Sequence, residues 1–351
     1  MKREQIPLRF RADAGEVSRQ LSAVVQCGDD LLLGSDEGCT VERLSPEGEG
    51  YAHHESFGLA KYVDLPRKDE EVDIEGLECR DGFLWIAGSH SARRKQPADD
   101  DEVDDAFDAL ATVEHAGNRY LLARVPLVQT GGHPSLERTA PALADEPERH
   151  AARVGGGRRR NRLIDILRDD RHLAPFMDLP GKDNGFDVEG FAVGDERIYL
   201  GLRGPVLRGH AVVLAIAARP RKQRPERLRL EKLEHGARYE KHFLALRGLG
   251  IRELCVDGRD LLVLAGPTMV LDGRTAVFRW RGALDVRCDS LVREDQLEHV
   301  LELEPGKQDD HPEGIALINH RGRRGLLVIY DAPSEARCPA PDTVLADFYP
   351  L

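Results

Sequence analysis

One short pattern occurs five times in this chain, and a repeat at a period near 60 residues constrains the fold more than any other feature. Each copy must be one supersecondary unit that cannot bury its apolar face alone and packs on its neighbours. The copies begin at Leu21 (LSAVVQCGDDLLLGSDEG), Ile74 (IEGLECRDGFLWIAGSHS), Val188 (VEGFAVGDERIYLGLRGP), Ile251 (IRELCVDGRDLLVLAGPT) and Pro312 (PEGIALINHRGRRGLLVIYDAP). Each joins two apolar runs through a polar turn and reads as a β-hairpin. A third strand-like run follows each hairpin, at Thr40, Arg119, Ala211, Thr275 and Thr343. A fourth precedes the next hairpin, at Lys61, Ala174, Lys241 and His299. The fifth unit lacks a fourth run, and IPLRF from Ile6 supplies it from the N-terminus.

Taking Ser22, Glu75, Glu189, Arg252 and Glu313 as equivalent gives gaps of 53, 114, 63 and 61 residues, and the wrap from Glu313 through the C-terminus to Ser22 is 60. The expected fold is all-β: a single β-propeller domain over residues 1–351, with five four-stranded blades closed by the N- and C-terminal strands. Closure of this kind protects an edge strand that would otherwise invite aggregation.

The gap of 114 holds an acidic stretch from Ala98, a Pro/Arg-rich stretch from His133 to Arg162, and the helix-like RLIDILRDD. A partly helical, partly disordered insertion in the second blade, about 92–118 and 129–170, is favoured over a hidden sixth blade. AARVGGGRRR, residues 151–160, buries little apolar area, so it is expected to be flexible and its basic run solvated.

Net charge and cysteine usage exclude several classes. Lys and Arg number 50 against 62 Asp and Glu, a net charge of -12, which argues against nucleic acid and anionic membrane as partners. No run approaches the roughly 20 apolar residues of a membrane span, and none resembles a signal peptide, so a cytoplasmic protein is expected. The six cysteines show no CxxC pair. Cys27, Cys79 and Cys255 read as small buried thiols, with neither a disulfide framework nor a zinc site indicated.

In a propeller the innermost strands ring one mouth, and the loops entering and leaving each hairpin share it. Glu75, Glu189 and Glu313 are then ring carboxylates, with Ser22 and Arg252 at the other ring positions. Asp73, Asp187 and His311 lie just outside them, and Lys68, Lys182 and Lys307 further out. The exiting loops add Asp36, Ser89, His90, Arg93, Arg203, Arg208, Thr268, Asp331, Ser334 and Arg337.

Two chemistries fit that mixture. As a site, Glu75, Glu189, Glu313, Asp187 and Asp331 offer hard oxygen ligands for Ca²⁺, Mg²⁺ or Mn²⁺. Arg203, Arg208, Arg252, Arg337 and Lys182 could then hold an anionic substrate, and His311 or His90 could move protons. As architecture, a ring glutamate accepts backbone N–H groups of the adjoining blade and the arginines neutralise it. Residues that do not repeat, His90, Arg203, Arg208, Arg252, His311 and Asp331, are the better functional candidates because blade symmetry does not explain them. LRGPVLRG lacks the pattern and following helix of a phosphate loop, and no nucleotide cofactor motif is present.

The segments GSHSARRK, DNGFDVEG, LRGPVLRG, KHFL, LAGPT and HPEGIAL together resemble a bacterial family known only as a domain of unknown function (number thirty-six sixteen). The resemblance runs over nearly the whole chain and implies no activity. More distantly, the EG-hairpin repeat is similar to phytase-like and esterase-like propellers, and the acidic funnel to that of calcium-dependent lactonases. Fold likeness does not carry function. The expectations are therefore a metal-dependent hydrolase of phosphoesters or lactones, or a noncatalytic propeller. The second would bind a small anion or peptide in its funnel and a protein partner through the acidic insertion.

Overall fold

The computed structural model describes residues 2–14, 16–68, 70–143, 146–269, 273–303 and 310–351; Lys307 lies outside the described residues. The five repeats form five antiparallel hairpins. They pair Leu21–Cys27 with Asp30–Ser35, Ile74–Arg80 with Phe83–Gly88, Asp187–Val193 with Ile198–Gly204, Gly250–Asp257 with Asp260–Gly266, and His311–His320 with Arg323–Asp331. Two of the turns show why a polar pair stands there. Asp81 and Gly82 (φ 52° and 75°) and Arg321 and Gly322 (φ 53° and 76°) both have positive φ at two successive residues, as a two-residue turn matched to strand twist requires.

The first strands of the hairpins are innermost, and each packs against two of the others to close a cycle. The chain is an all-β propeller. Apolar clusters lie between neighbouring units, and period-2 alternation shares each strand between two of them. Leu31 and Leu33 face the last unit while Leu32 faces the second; Leu261 and Val263 face one neighbour, Leu262 and Leu264 the other. Burial on both faces explains why these strands read as continuous apolar runs.

Outer strands complete the units. The N-terminal strand Glu4–Arg9 pairs antiparallel with Thr343–Pro350 from Glu4↔Phe348 to Arg9↔Thr343. Leu8 also meets Tyr51 in parallel, merging the first and last units into one eight-stranded sheet. Two expected strands need correction. The first unit ends in Gly50–Gly58 and the second in Ala152–Val154, whereas the runs at Lys61 and Ala174 form no strand: Leu59–Lys61 and Ala174–Phe176 are single 3-10 turns. Among the described residues of 129–170, helix is confined to Arg162–Leu167. The rest includes the strand His133–Leu136 and the hairpin Thr139–Leu143 with Glu146–His150. A hairpin at Ala218–Arg221 and Arg224–Leu230, unforeseen from the sequence, extends the second unit's sheet by parallel pairing with Ala152–Val154.

Cys27 and Cys79 form a disulfide with their Cα atoms 6.1 Å apart, which corrects the expectation of two buried thiols. They lie 52 residues apart in sequence and meet because they occupy adjacent inner strands. Among the described residues, no helix is long and apolar enough to cross a membrane.

Candidate functional site

All five ring positions inferred from the spacing occupy the same local structure. Ser22, Glu75, Glu189, Arg252 and Glu313 are each the extra residue of a β-bulge, skipped in the pairing of the inner hairpin. A bulge bends the strand and re-aims the side chain at that point. The glycine that follows three of them lets the next unit approach. A Cβ on Gly76 would stand 2.0 Å from Cβ of Phe191, and one on Gly190 would stand 2.7 Å from Cγ2 of Ile251. The repeated EG pair is thus a bulge followed by a close inter-blade contact.

Two arginines bind the ring carboxylates. Arg203 Nη1 donates to Glu189 Oε1 at 2.7 Å and its Nε to the Thr268 carbonyl at 3.0 Å. Arg252 places Nε 3.0 Å from Glu189 Oε2 and bonds Glu313 through Nη2. Arg119, not singled out from the sequence, plays the same part nearby. It reaches Asp73 at 2.6 Å and Glu71 at 2.9 Å. Its place at the start of a strand-like run, RYLLARVPL, gave it a structural reading.

These groups surround a funnel of ≈ 790 Å³ whose wall includes Asp36, Asp73, Glu75, Asp187, Glu189, Glu313 and Asp331, with Arg119, Arg203 and Lys182. The expected carboxylates therefore do converge. Burial, then the neighbouring charge of Glu189, pushes Asp187 up to about 7 against the pull of Arg203. Burial, then repulsion from Asp331 and Asp73, pushes Asp36 up to about 7. Glu75 is raised well above the carboxylate range for the same reasons, burial first and then Asp73 and Glu189. Asp331 is raised by burial, tempered by a backbone hydrogen bond from Ala332 and by His311 and Arg252. Oδ1 of Asp36 is buried without a hydrogen-bond partner among the described residues.

Other candidates belong elsewhere. His90 is 2% exposed; its Nδ1 bonds the Gly88 carbonyl at 2.7 Å and its Nε2 accepts from Asn161 Nδ2 at 2.8 Å. Both nitrogens are used, and burial lowers its pKa to about 4; it anchors a loop and does not line the funnel. Arg337 is tied to Asp347 at 3.0 Å and Asp310 at 3.1 Å and stacks 3.6 Å over the Tyr330 ring. Arg208 is exposed with φ 52° and does not line the funnel. His311 opens the fifth hairpin opposite Asp331, and the funnel wall there is made by Glu313 and Asp331. Among the described residues no three His, Cys, Asp or Glu side chains are grouped to hold a metal ion. The physical reason is that Glu189 and Glu313 are turned onto arginines.

The backbone-accepting carboxylate expected at the ring occurs one residue later. Glu253, 2% exposed, accepts from the backbone N–H of Phe191 at 2.9 Å and of Leu254 at 2.7 Å. The acidic insertion lies on the funnel rim. Arg94 binds Asp183 at 2.8 Å and the Leu110 carbonyl, and Leu110 itself lines the cavity.

No curated protein matches the chain in sequence. Among solved structures it is similar to the glutaminyl cyclase of Myxococcus xanthus (10% identity, 99% of this chain and 97% of that one, TM-score 0.41). It is also similar to the soluble aldose sugar dehydrogenase of Escherichia coli in its apo-form (10% identity, 100% of both chains, TM-score 0.40). A third is the PQQ-bound aldose sugar dehydrogenase of Streptomyces coelicolor (11% identity, 100% and 99%, TM-score 0.39). Residues 20–347, which include every hairpin and the whole funnel wall, match the family described as a protein of unknown function (DUF3616), and the chain belongs to that family.

Proposed function

We propose that this is a five-bladed propeller whose funnel binds a small polar ligand carrying positive charge, in exchange for protons on Asp36, Glu75 and Asp187. The blade count is supported by five hairpins with five inner strands in mutual contact and by the pairing of the two termini. One observation carries the functional reading: Asp36 and Asp187 are pushed up to about 7 in the wall of a ≈ 790 Å³ cavity. Crowded carboxyls hold protons because they repel one another in a poorly solvated place, and an incoming cationic group relieves that repulsion. Binding and proton release are then linked.

Calorimetric titration with putrescine, and separately with Ca²⁺, at pH 6 and pH 8 tests this. Expected is about tenfold or more tighter binding of at least one probe at pH 8 than at pH 6, with protons released on binding at pH 6, where Asp36 and Asp187 start protonated, since roughly 1.4 kcal/mol of relieved repulsion is worth tenfold. The effect disappears in Asp36→Asn/Asp187→Asn. Equal affinity at both pH values contradicts the reading.

A carboxyl near 7 also suits proton transfer at neutral pH, and this favours a second reading, hydrolysis of a neutral lactone or ester with Asp36 or Asp187 as general base. A phosphoester fits less well. Carboxylates outnumber cations in the funnel wall, and Glu189 and Glu313 would have to release Arg203 and Arg252 to hold a metal ion.

A further inference from the structure

Beside the funnel lies a second cavity of ≈ 580 Å³, and its charge is of the opposite sign. Its wall holds five arginines, Arg67, Arg93, Arg119, Arg158 and Arg159, against three glutamates. The glutamates are already matched. Glu70 is 3.4 Å from Arg67, Glu114 is 3.4 Å from Arg93, and Glu71 is 2.9 Å from Arg119. Arg158 and Arg159 have no ion pair or hydrogen bond among the described residues. Nε of Arg119 is buried without an acceptor.

The loop that carries Arg158 and Arg159 is tied to its surroundings by hydrogen bonds and packing. Gly157 N–H bonds the Arg160 carbonyl at 2.9 Å, and Arg162 N–H bonds the Gly155 carbonyl at 2.8 Å. Its Arg158 Cα lies so near Gly117 that a Cβ there would come within 2.9 Å. At the loop's end Asn161, 1% exposed, bonds His90 and the Tyr120 carbonyl, both at 2.8 Å. Burial lowers the pKa of His115 on the same wall, and the Arg159 charge adds to the shift.

We propose that this side cavity is a phosphate-binding subsite, with Arg158 and Arg159 supplying the two guanidinium charges left over once the glutamates are matched. Two uncompensated guanidiniums equal the charge of a phosphate or phosphomonoester dianion, and guanidinium forks bind such oxygens bidentately. The inference does not depend on the funnel reading.

The test is titration of the full chain with inorganic phosphate and with phenyl phosphate, followed by calorimetry or amide chemical shifts. The expected result is saturable binding that falls by about tenfold or more in Arg158→Ala/Arg159→Ala and weakens in high salt, while Asp36→Asn leaves it intact or strengthens it. Both replaced side chains are exposed, and an unchanged melting temperature verifies the fold. Putrescine binding persists in the double variant if the funnel reading also holds. Failure of the wild type to bind phosphate, or equal binding by the folded double variant, overturns the proposal.

Discussion

Asp36 shows how a single residue in this funnel trades stability against chemistry. Its carboxyl is raised from an ordinary value of 3.8 to about 7. Between those values the folded state keeps a proton that the unfolded state has lost, so this group's contribution falls as pH rises from about 4 to 7 and stays unfavourable above that. At 1.36 kcal/mol per unit the ceiling is about 4 kcal/mol. Asp36→Asn, which carries no charge to bury, is expected to be about 1–3 kcal/mol more stable than wild type at pH 8 and equal to it near pH 4, measured by urea unfolding. A variant no more stable at pH 8 removes the account of Asp36.

At this scale the ring positions were legible because one backbone feature, the bulge, recurs with the repeat. His90 was not, since one of its two hydrogen bonds comes from Asn161, 71 positions away in a stretch read as loop. Arg119 was hidden by its apolar neighbours, and the engagement of Arg252 by Glu189 and Glu313 depends on side chains from three different units.

Among elements, the hairpins were readable from alternating faces and turn chemistry, while two outer strands were not. Gly50–Gly58 (GYAHHESFG) mixes buried and exposed residues along its length and carries little apolar pattern. The more apolar runs at Lys61 and Ala174 connect units rather than pair. The disulfide is likewise a product of how elements assemble, joining the inner strands of the first two units. A crosslink closing a loop of that size contributes about 3–4 kcal/mol in the chain-entropy account. Cys27→Ser is expected to lose about that much in reversible unfolding, and non-reducing peptide mapping should recover the Cys27–Cys79 pair from wild type. Six titratable thiols in the unreduced, unfolded wild-type protein would contradict the pairing.

For the molecule as a whole, closure by the two termini was legible from arithmetic, because the wrapped interval of 60 residues matched the other periods. The distribution of charge was not, since spacing says which loops share a mouth but not which carboxylates arginines will hold. The structure separates an acidic funnel from an arginine-rich cavity, with Arg119 and Glu71 in the wall between them. The consequence is a protein with two populations of carboxyl group. Those on the outside, such as Glu4 beside Arg323 and Glu302 beside Arg274, are lowered by their guanidinium partners, and the funnel group is raised. Carbon-detected NMR titration of the side-chain carboxyls, assigned with Asp36→Asn and Asp187→Asn, measures this directly. The expected result is that Asp36 and Asp187 titrate near pH 7 while the outer carboxyls titrate at or below about 4; Asp36 and Asp187 titrating with the outer group would contradict a proton-exchanging funnel.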